Sequence, residues 1–338
     1  MKYQNLYSFS SKNDVNKKKY DDTSESFSST ENECKNVRNG CGIIDFSNRG
    51  RILIKGNDKE EFLQGIITND TKKLQIGKGI PALMLNPKGK ILSIMSIYAI
   101  EDYYLIDIDI SIKDQTIANL KKYIFRDKVE VLDYTDETGL ISIQGSDSEQ
   151  LIKDMLSYDT INMNELSSMK IKKIGSNLHL IKKSRFNEIG YEIYGQKNDI
   201  INIYSYLSQK INDESNIGLL GSHAINILML ESNIPIYNKD IWDEILPQEA
   251  RLENYVDFKK GCYVGQEVVI RLHNMGHVNK LLTGIQLDGN ILEKDDLIMK
   301  ENEVIGKITR SAFSYRLKKT IAMGYIKIKY VNDSEKIK

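Results

Sequence analysis

The sequence predicts an α+β protein of more than one domain that ends in a small β-barrel, and three observations carry that prediction. Strand-like and helix-like runs alternate through most of the chain. The C-terminal part reads instead as short strands separated by Gly, Asp and Asn turns, with little helix. At 338 residues the chain also exceeds what one ordinary core holds.

Residues 8–32 are polar with almost nothing to bury, so they are expected to form a loose arm, pinned at most by Tyr3, Leu6 and Tyr7. Order is expected from Cys41, leading into a strand at 51–55. A short helix follows, with Asp58 as N-cap and Phe62, Leu63 and Ile66 on one face. Strands at 81–85 and 91–100 flank the NPKG turn, and a third at 103–108 pairs with them. A helix is expected at 115–124, then strands at 129–133 and 140–144 that extend the same sheet. A second unit has helices at 146–156 and 200–211 and strands at 169–174, 178–182 and 191–194, and an apolar helix spans 221–231. The last strands are expected at 281–287, 297–299, 304–310 and 321–328. The chain thus divides into a polar arm at 1–32, a first α+β unit at 33–145 completed by 221–256, a second at 146–220, a connection at 257–278 and a barrel at 279–338.

Composition narrows the function classes. Basic and acidic residues number 47 each, so no net field holds a polyanion and a direct nucleic-acid role is not expected. No apolar run reaches about 18 residues, and the start lacks a signal-peptide core, so neither a membrane span nor export is expected. Cys34, Cys41 and Cys262 have no metal-ligand spacing, which points to free thiols in a reducing, cytoplasmic compartment.

The densest polar chemistry is KGCYVGQEVVIR, Lys260 to Arg271, where two glycines flank Cys262 beside a strand-like run. It reads either as a glycine-rich strand entry with a small core cysteine, or as a thiolate site with Lys260 or Arg271 lowering the thiol pKa and His273 or His277 as base. Glu188 and Glu192 flank Gly190 in RFNEIGYEIY; Glu192 lies either on a solvated strand face or where a carboxylate receives an amidine-like edge. Asn86 and the NPKGK turn offer amides to a ligand but lack the ending of a nucleotide phosphate loop. Trp242, the single tryptophan, reads as a domain-interface anchor or a ligand platform.

In family order over roughly 40–325, the segments CGIIDFSNRGRILIKGNDKEEFLQGIITND, LNPKGKI, NEIGYEIYG, LESNIPIYNKDI, KGCYVGQE and GHVNKLLTGI resemble the folate-binding YgfZ / glycine cleavage T-protein (aminomethyltransferase) superfamily. KGCYVGQE resembles the signature of the YgfZ branch. The resemblance implies a three-domain folate-binding fold with a small C-terminal β-barrel around a central opening, and tetrahydrofolate or a related reduced folate as cofactor. It implies Glu192 as the carboxylate for the pterin edge, with Glu188 nearby. It also implies Asn86, Tyr98, Asp109 and Met229 as cavity residues, and Lys260 or Arg271 near the anionic tail.

Two departures stand out. Ser93-Ile94 replace the transferase's paired aspartates, and Met229 replaces the arginine of its DSLRLE segment. On that ground the expected role is an accessory protein for iron–sulfur cluster assembly or repair, with support of tRNA modification through client enzymes. Iron–sulfur assembly factors or client enzymes are its expected partners, and Cys262 its functional thiol. The alternatives are a folate-dependent methyl- or aminomethyl-transferase with altered substrate, and a non-catalytic interaction module.

Overall fold

The computed structural model describes residues 25–156, 163–171, 178–300 and 302–331. The expected anchors Tyr3, Leu6 and Tyr7, and the end of the strand expected at 169–174, lie outside them. In chain order the elements are α1 (Thr30–Asn39), β1 (Cys41–Asp45), β2 (Gly50–Lys55), α2 (Lys59–Gln64), β3 (Gly79–Leu85), β4 (Ile91–Ile100), β5 (Tyr103–Ile108), α3 (Lys113–Lys122), β6 (Glu130–Asp133), β7 (Thr138–Gln144) and α4 (Ser148–Leu156). Then come β8 (Ser168–Ile171), β9 (Leu178–Lys182), β10 (Gly190–Gln196), α5 (Lys197–Asp213), β11 (Ile217–Leu219), α6 (Ser222–Glu231), α7 (Gln266–Met275), β12 (Lys280–Leu287), β13 (Leu297–Lys300), β14 (Glu303–Ser314) and β15 (Lys319–Lys327).

Three sheets organise the molecule. An antiparallel five-stranded sheet has the order β3-β4-β5-β2-β6, and a six-stranded sheet has the order β11-β1-β7-β10-β9-β8 with only β1 and β11 parallel. The third, β12-β15-β14-β13, is antiparallel and forms the small C-terminal β unit of this three-part α+β fold. Alternation along the strands gives each sheet two distinct faces. Met95, Ile97 and Ala99 of β4 meet Phe62, Leu63 and Leu120 from α2 and α3. Tyr98, Ile100, Leu105 and Leu53 turn the other way and meet Leu140, Ile181 and Tyr194 of the six-stranded sheet. That sheet buries its far face under α4 and α5 through Ile152, Ile203 and Leu207. The two sheets therefore stack face to face between helical layers.

Three expectations are corrected. Strand β7 does not extend the first sheet: it pairs with β1 and β10, and every one of its residues is buried, as suits the middle of a two-faced layer. A boundary at 145/146 would cut this six-stranded sheet, which draws strands from both expected units. The VVI run of KGCYVGQEVVIR is part of helix α7, not a strand, with only Val269 fully buried. Gly265, left-handed at φ +80°, opens that helix.

The polar arm ends earlier than expected, because residues 25–29 are bonded to the body. Glu33, fully buried, accepts from the Phe27 and Ser28 amides at 2.6 and 2.7 Å and from the Gly221 amide at 2.8 Å. One carboxylate thereby ties the chain before α1 to the start of α6. Trp242 packs edge-on against Tyr325 of β15, ring centroids 5.7 Å apart, and joins the C-terminal sheet to the shared core around α6.

Candidate active site

The space between the two stacked sheets is apolar at one end and densely charged at the other. Asp107 on β5 lies opposite Ser96 of β4, on the same inward face as Leu105 and Tyr98. Three cations converge on it. Arg49, from the turn after β1, donates through Nε at 2.6 Å and Nη2 at 3.2 Å. Lys183, just past β9, donates to Asp107 at 2.8 Å and to Ser96 Oγ at 3.0 Å. Arg185 reaches the same carboxylate at 3.2 Å and places its Nε 2.5 Å from Glu192 on β10. The cluster is a chain of charge-assisted bonds, Arg49–Asp107–Lys183/Arg185–Glu192.

Local structure explains why these side chains stay in place. Gln144 at the end of β7 donates to the Lys183 carbonyl at 2.9 Å and accepts from the Arg185 amide at 2.8 Å, clamping the 183–185 segment. The Arg185 guanidinium lies 4.7 Å from the Phe46 ring centroid, and Arg49 lies 5.9 Å from it. Beneath them the buried Arg51 gives its donors to Thr138 Oγ1 and to the carbonyls of Phe46, Ser47, Arg49, Thr135 and Thr138, which fixes the turn carrying Arg49.

The electrostatics follow from this packing. Burial alone pushes the Asp107 pKa up, but Arg49, Lys183 and Arg185 outweigh it and hold the carboxyl well below its usual range. Burial, then Arg185, lowers the proton affinity of Lys183. For Arg185, burial is outweighed by Glu192 and Asp107, so it is a permanent cation. Tyr98 is fully buried among these charges, its ring centroid 5.8 Å from Lys183 Nζ, and its hydroxyl completes no hydrogen bond among the described residues.

Of the residues singled out from sequence, Glu192 and Tyr98 meet at this cluster and the others do not. Asn86 spends its side chain inside its own turn, accepting from the Lys88 and Lys90 amides at 2.9 and 3.0 Å. Asp109 likewise caps the turn after β5 by accepting from Ser111. Lys260 Nζ donates to the carbonyls of Gln64, Ile67 and Asn69 at 2.8, 2.7 and 2.9 Å, so it closes a backbone loop and is not open to an anionic tail. Arg271 is exposed on α7, and Met229 packs half-buried against the core around α6. Glu188 lies toward Arg38.

Cys262 is exposed on a loop. Of its supposed helpers, Lys260 is turned inward and His273 stacks on Phe258 with centroids 3.8 Å apart. At the positions of the replaced aspartates, Ser93 is fully buried on the β4 face that carries Met95 and Ile97, and Ile94 packs half-buried against the core around α6. Sequence reading missed Asp107, Arg49, Lys183 and Arg185. Asp107 alone left a trace, as an acid in the otherwise apolar YYLIDI strand.

A cleft of about 480 Å³ lies between Asn233–Pro235, Ala250–Leu252 and Leu282–Gly284, and none of the cluster's charged residues lines it. Tyr255 lines it and also feels the charges of Arg185 and Arg49. The cleft has the size of a small-molecule site. Among the described residues, no group of three or more His, Cys, Asp or Glu side chains is arranged to hold a metal. No described helix is long and apolar enough to cross a membrane.

Comparison with known proteins gives a match along nearly the whole chain. Residues 4–260 match the family model for the GCVT N-terminal domain, and residues 280–338 match that for the glycine cleavage T-protein C-terminal barrel domain. A protein of a Thermoanaerobacter species named aminomethyltransferase is 28% identical over 308 residues, covering 90% of this chain and 83% of that relative. One of the same name from Bacillus subtilis is 28% identical over 306 residues, covering 89% and 83%. In three dimensions the chain resembles the glycine cleavage system aminomethyltransferase T from Bartonella henselae, with a TM-score of 0.79 at 19% identity over 89% of this chain and 82% of that one.

Proposed function

Since the chain belongs to the GCVT family of glycine cleavage T-protein-like proteins, we propose that it is a folate-dependent aminomethyltransferase. This replaces the expectation of a YgfZ-branch accessory protein for iron–sulfur assembly. The family models matched are those of the T-protein itself, and the similar relatives are named aminomethyltransferases over about nine-tenths of the chain. The KGCYVGQE segment that suggested the other branch is a loop and helix start with Lys260 and Tyr263 buried and Cys262 exposed, and its Gly265 turn packs on the NPKG turn.

The observation that carries the reading within the site is the buried Asp107 carboxylate. The sequence argument against transfer was the absence of carboxylates at Ser93-Ile94, and Asp107 supplies one on the neighbouring strand, held ionised. Its environment of three cations and a lysine–serine contact is a preorganised electrostatic site, not a solvated surface pair.

Tetrahydrofolate, when bound, supplies the amine nitrogens that accept the one-carbon unit. The donor set fits it: Glu192 for the N–H edge of the pterin, the unbonded Tyr98 hydroxyl beside it, and the aromatic faces of Phe46 and Tyr255. Arg185 covers Glu192, so ring binding exchanges one partner of that carboxylate for another. Lys183 is the cluster base from which a proton leaves most readily, because an arginine starts from a much higher affinity. Buried free thiols at Cys34 and Cys41 agree with a proposed cytoplasmic setting.

The test is tetrahydrofolate-dependent release of ammonia from an aminomethyl thioether. Saturation with tetrahydrofolate, and at least a hundredfold loss of rate in Asp107→Asn that still melts cooperatively, are expected. No release by folded parent protein at any tetrahydrofolate concentration would overturn the assignment.

A further inference from the structure

The C-terminal sheet has two edges, and the molecule treats them differently. Strand β12 is covered along its outer side: the Leu282 amide donates to the Glu249 carbonyl at 2.8 Å, and Arg251 Nε donates to the Leu282 carbonyl at 2.9 Å. Strand β13, at the other edge, pairs with β14 alone among the described residues. An open strand edge is a row of backbone donors and acceptors that templates pairing with another chain.

The register of β13 determines which of its groups face outward. Leu297 lies opposite Lys307, and the Ile308 amide donates to the Asp296 carbonyl at 2.9 Å, so the N–H and C=O of Leu297 point away from β14. Alternation along the strand gives Met299 the same outward groups. The side chains are sorted as well. Ile298 is buried in the sheet's own core. On the other face, Leu297 at 53% exposure, half-buried Met299 and exposed Val304 opposite Met299 form an apolar strip. An acid and a base bracket it. Asp296 is oriented by accepting from the Glu293 amide at 2.9 Å, and Lys300 Nζ is held 5.5 Å from the Tyr330 ring centroid.

That order, Asp-Leu-Ile-Met-Lys, is self-complementary in antiparallel pairing. A two-fold axis through Ile298 sets Leu297 of one copy opposite Met299 of the other, outward groups against outward groups, and sets Asp296 opposite Lys300 at both ends. Moving the axis to Leu297 or Met299 keeps the backbone alternation but places Asp296 or Lys300 opposite Ile298, and both charge pairs are lost.

We propose that β13 is a homodimerisation edge, pairing antiparallel with β13 of a second copy about a two-fold axis at Ile298. The two four-stranded sheets then continue as one, with the Leu297 and Met299 side chains meeting across the seam. Such an interface is isologous and uses up the edge it forms from, so it closes at two copies. The inference lies outside the transferase reading and stands or falls apart from it.

The experiment follows the mass of the full chain by sedimentation equilibrium over a concentration series. Parent protein is expected to dimerise with a Kd of roughly 10–100 μM, the weak range of a small interface. Asp296→Lys and Lys300→Asp each set like charges across both ends, so each variant alone is expected to sediment as a monomer. Mixed in equal amounts, the two restore opposite charges at both ends, and the mixture is expected to dimerise as the parent does. Leu297→Pro removes an outward N–H while sparing the β13–β14 bonds, and should weaken association at least tenfold in protein that still melts cooperatively. A parent that stays monomeric up to about 1 mM overturns the proposal. So do single charge variants that dimerise as well as the parent, a mixture of the two that stays monomeric, or undiminished dimerisation of folded Leu297→Pro.

Discussion

Asp107 is a carboxylate whose ionised state is maintained by three neighbours, and that coupling makes its removal costly. Asp107→Asn leaves Arg49, Lys183 and Arg185 facing one another in a buried space, with an expected loss of about 3–5 kcal/mol in denaturant unfolding. The same depressed pKa sets a pH signature. The stabilisation is complete above the unfolded carboxyl value, about 3.9, and is lost as pH falls below it, so Asp107→Asn should flatten the acid limb of the stability curve.

Lys260 behaves oppositely. Burial lowers its pKa to about 8, with Asp70 and Asp257 only partly offsetting it. Between about pH 8 and 10.4 the unfolded chain holds more protons at this lysine than the folded one. Parent stability should therefore rise with pH across that window relative to Lys260→Met, as measured by urea midpoints. These residues show why sequence gave the site only in part. Glu192 and Tyr98 stood in recognisable text, whereas Arg49, Lys183 and Arg185 become a cluster only when a turn, a strand end and two sheets meet.

At the scale of elements, the NPKG turn that offered amides to a ligand and the glycine turn beside Cys262 turn out to pack on each other. A Cβ on Gly265 would stand 2.4 Å from the Asn86 carbonyl oxygen and 3.1 Å from the Gly89 Cα, and the φ of +80° adds strain for any other residue. Gly265→Ala is expected to destabilise by more than about 1 kcal/mol, read from thermal unfolding. Strand and helix positions in the apolar alternating stretches were legible, as β4, β5, α6 and the C-terminal strands show. The β-branched run Val268–Ile270 misled, because helix α7 needs just one deeply buried position there and tertiary packing overrides local preference. Glu33 was illegible for another reason: its value lies in the amides of Phe27, Ser28 and Gly221, the last far away in sequence. Glu33→Ala should cost roughly 3 kcal/mol and raise amide exchange at residues 27, 28 and 221.

The whole molecule is two sheets stacked between helices, with a C-terminal sheet joined through Trp242 and Tyr325. The chain threads the two sheets so that β1 and β7 pair with strands much later in sequence, which the boundary expected at 145/146 did not foresee, while the α+β class held. That interleaving is also what brings Asp107 of one sheet within reach of Glu192's partner from the other. The central claim is that this inter-sheet cluster is where a reduced folate binds. The most direct measurement is calorimetric titration of tetrahydrofolate into parent, Glu192→Gln and Cys262→Ala proteins of matched fold. The account predicts saturable binding in the parent, at least tenfold weaker binding in Glu192→Gln and unchanged affinity in Cys262→Ala. Equal affinity in parent and Glu192→Gln, or loss confined to Cys262→Ala, would contradict it.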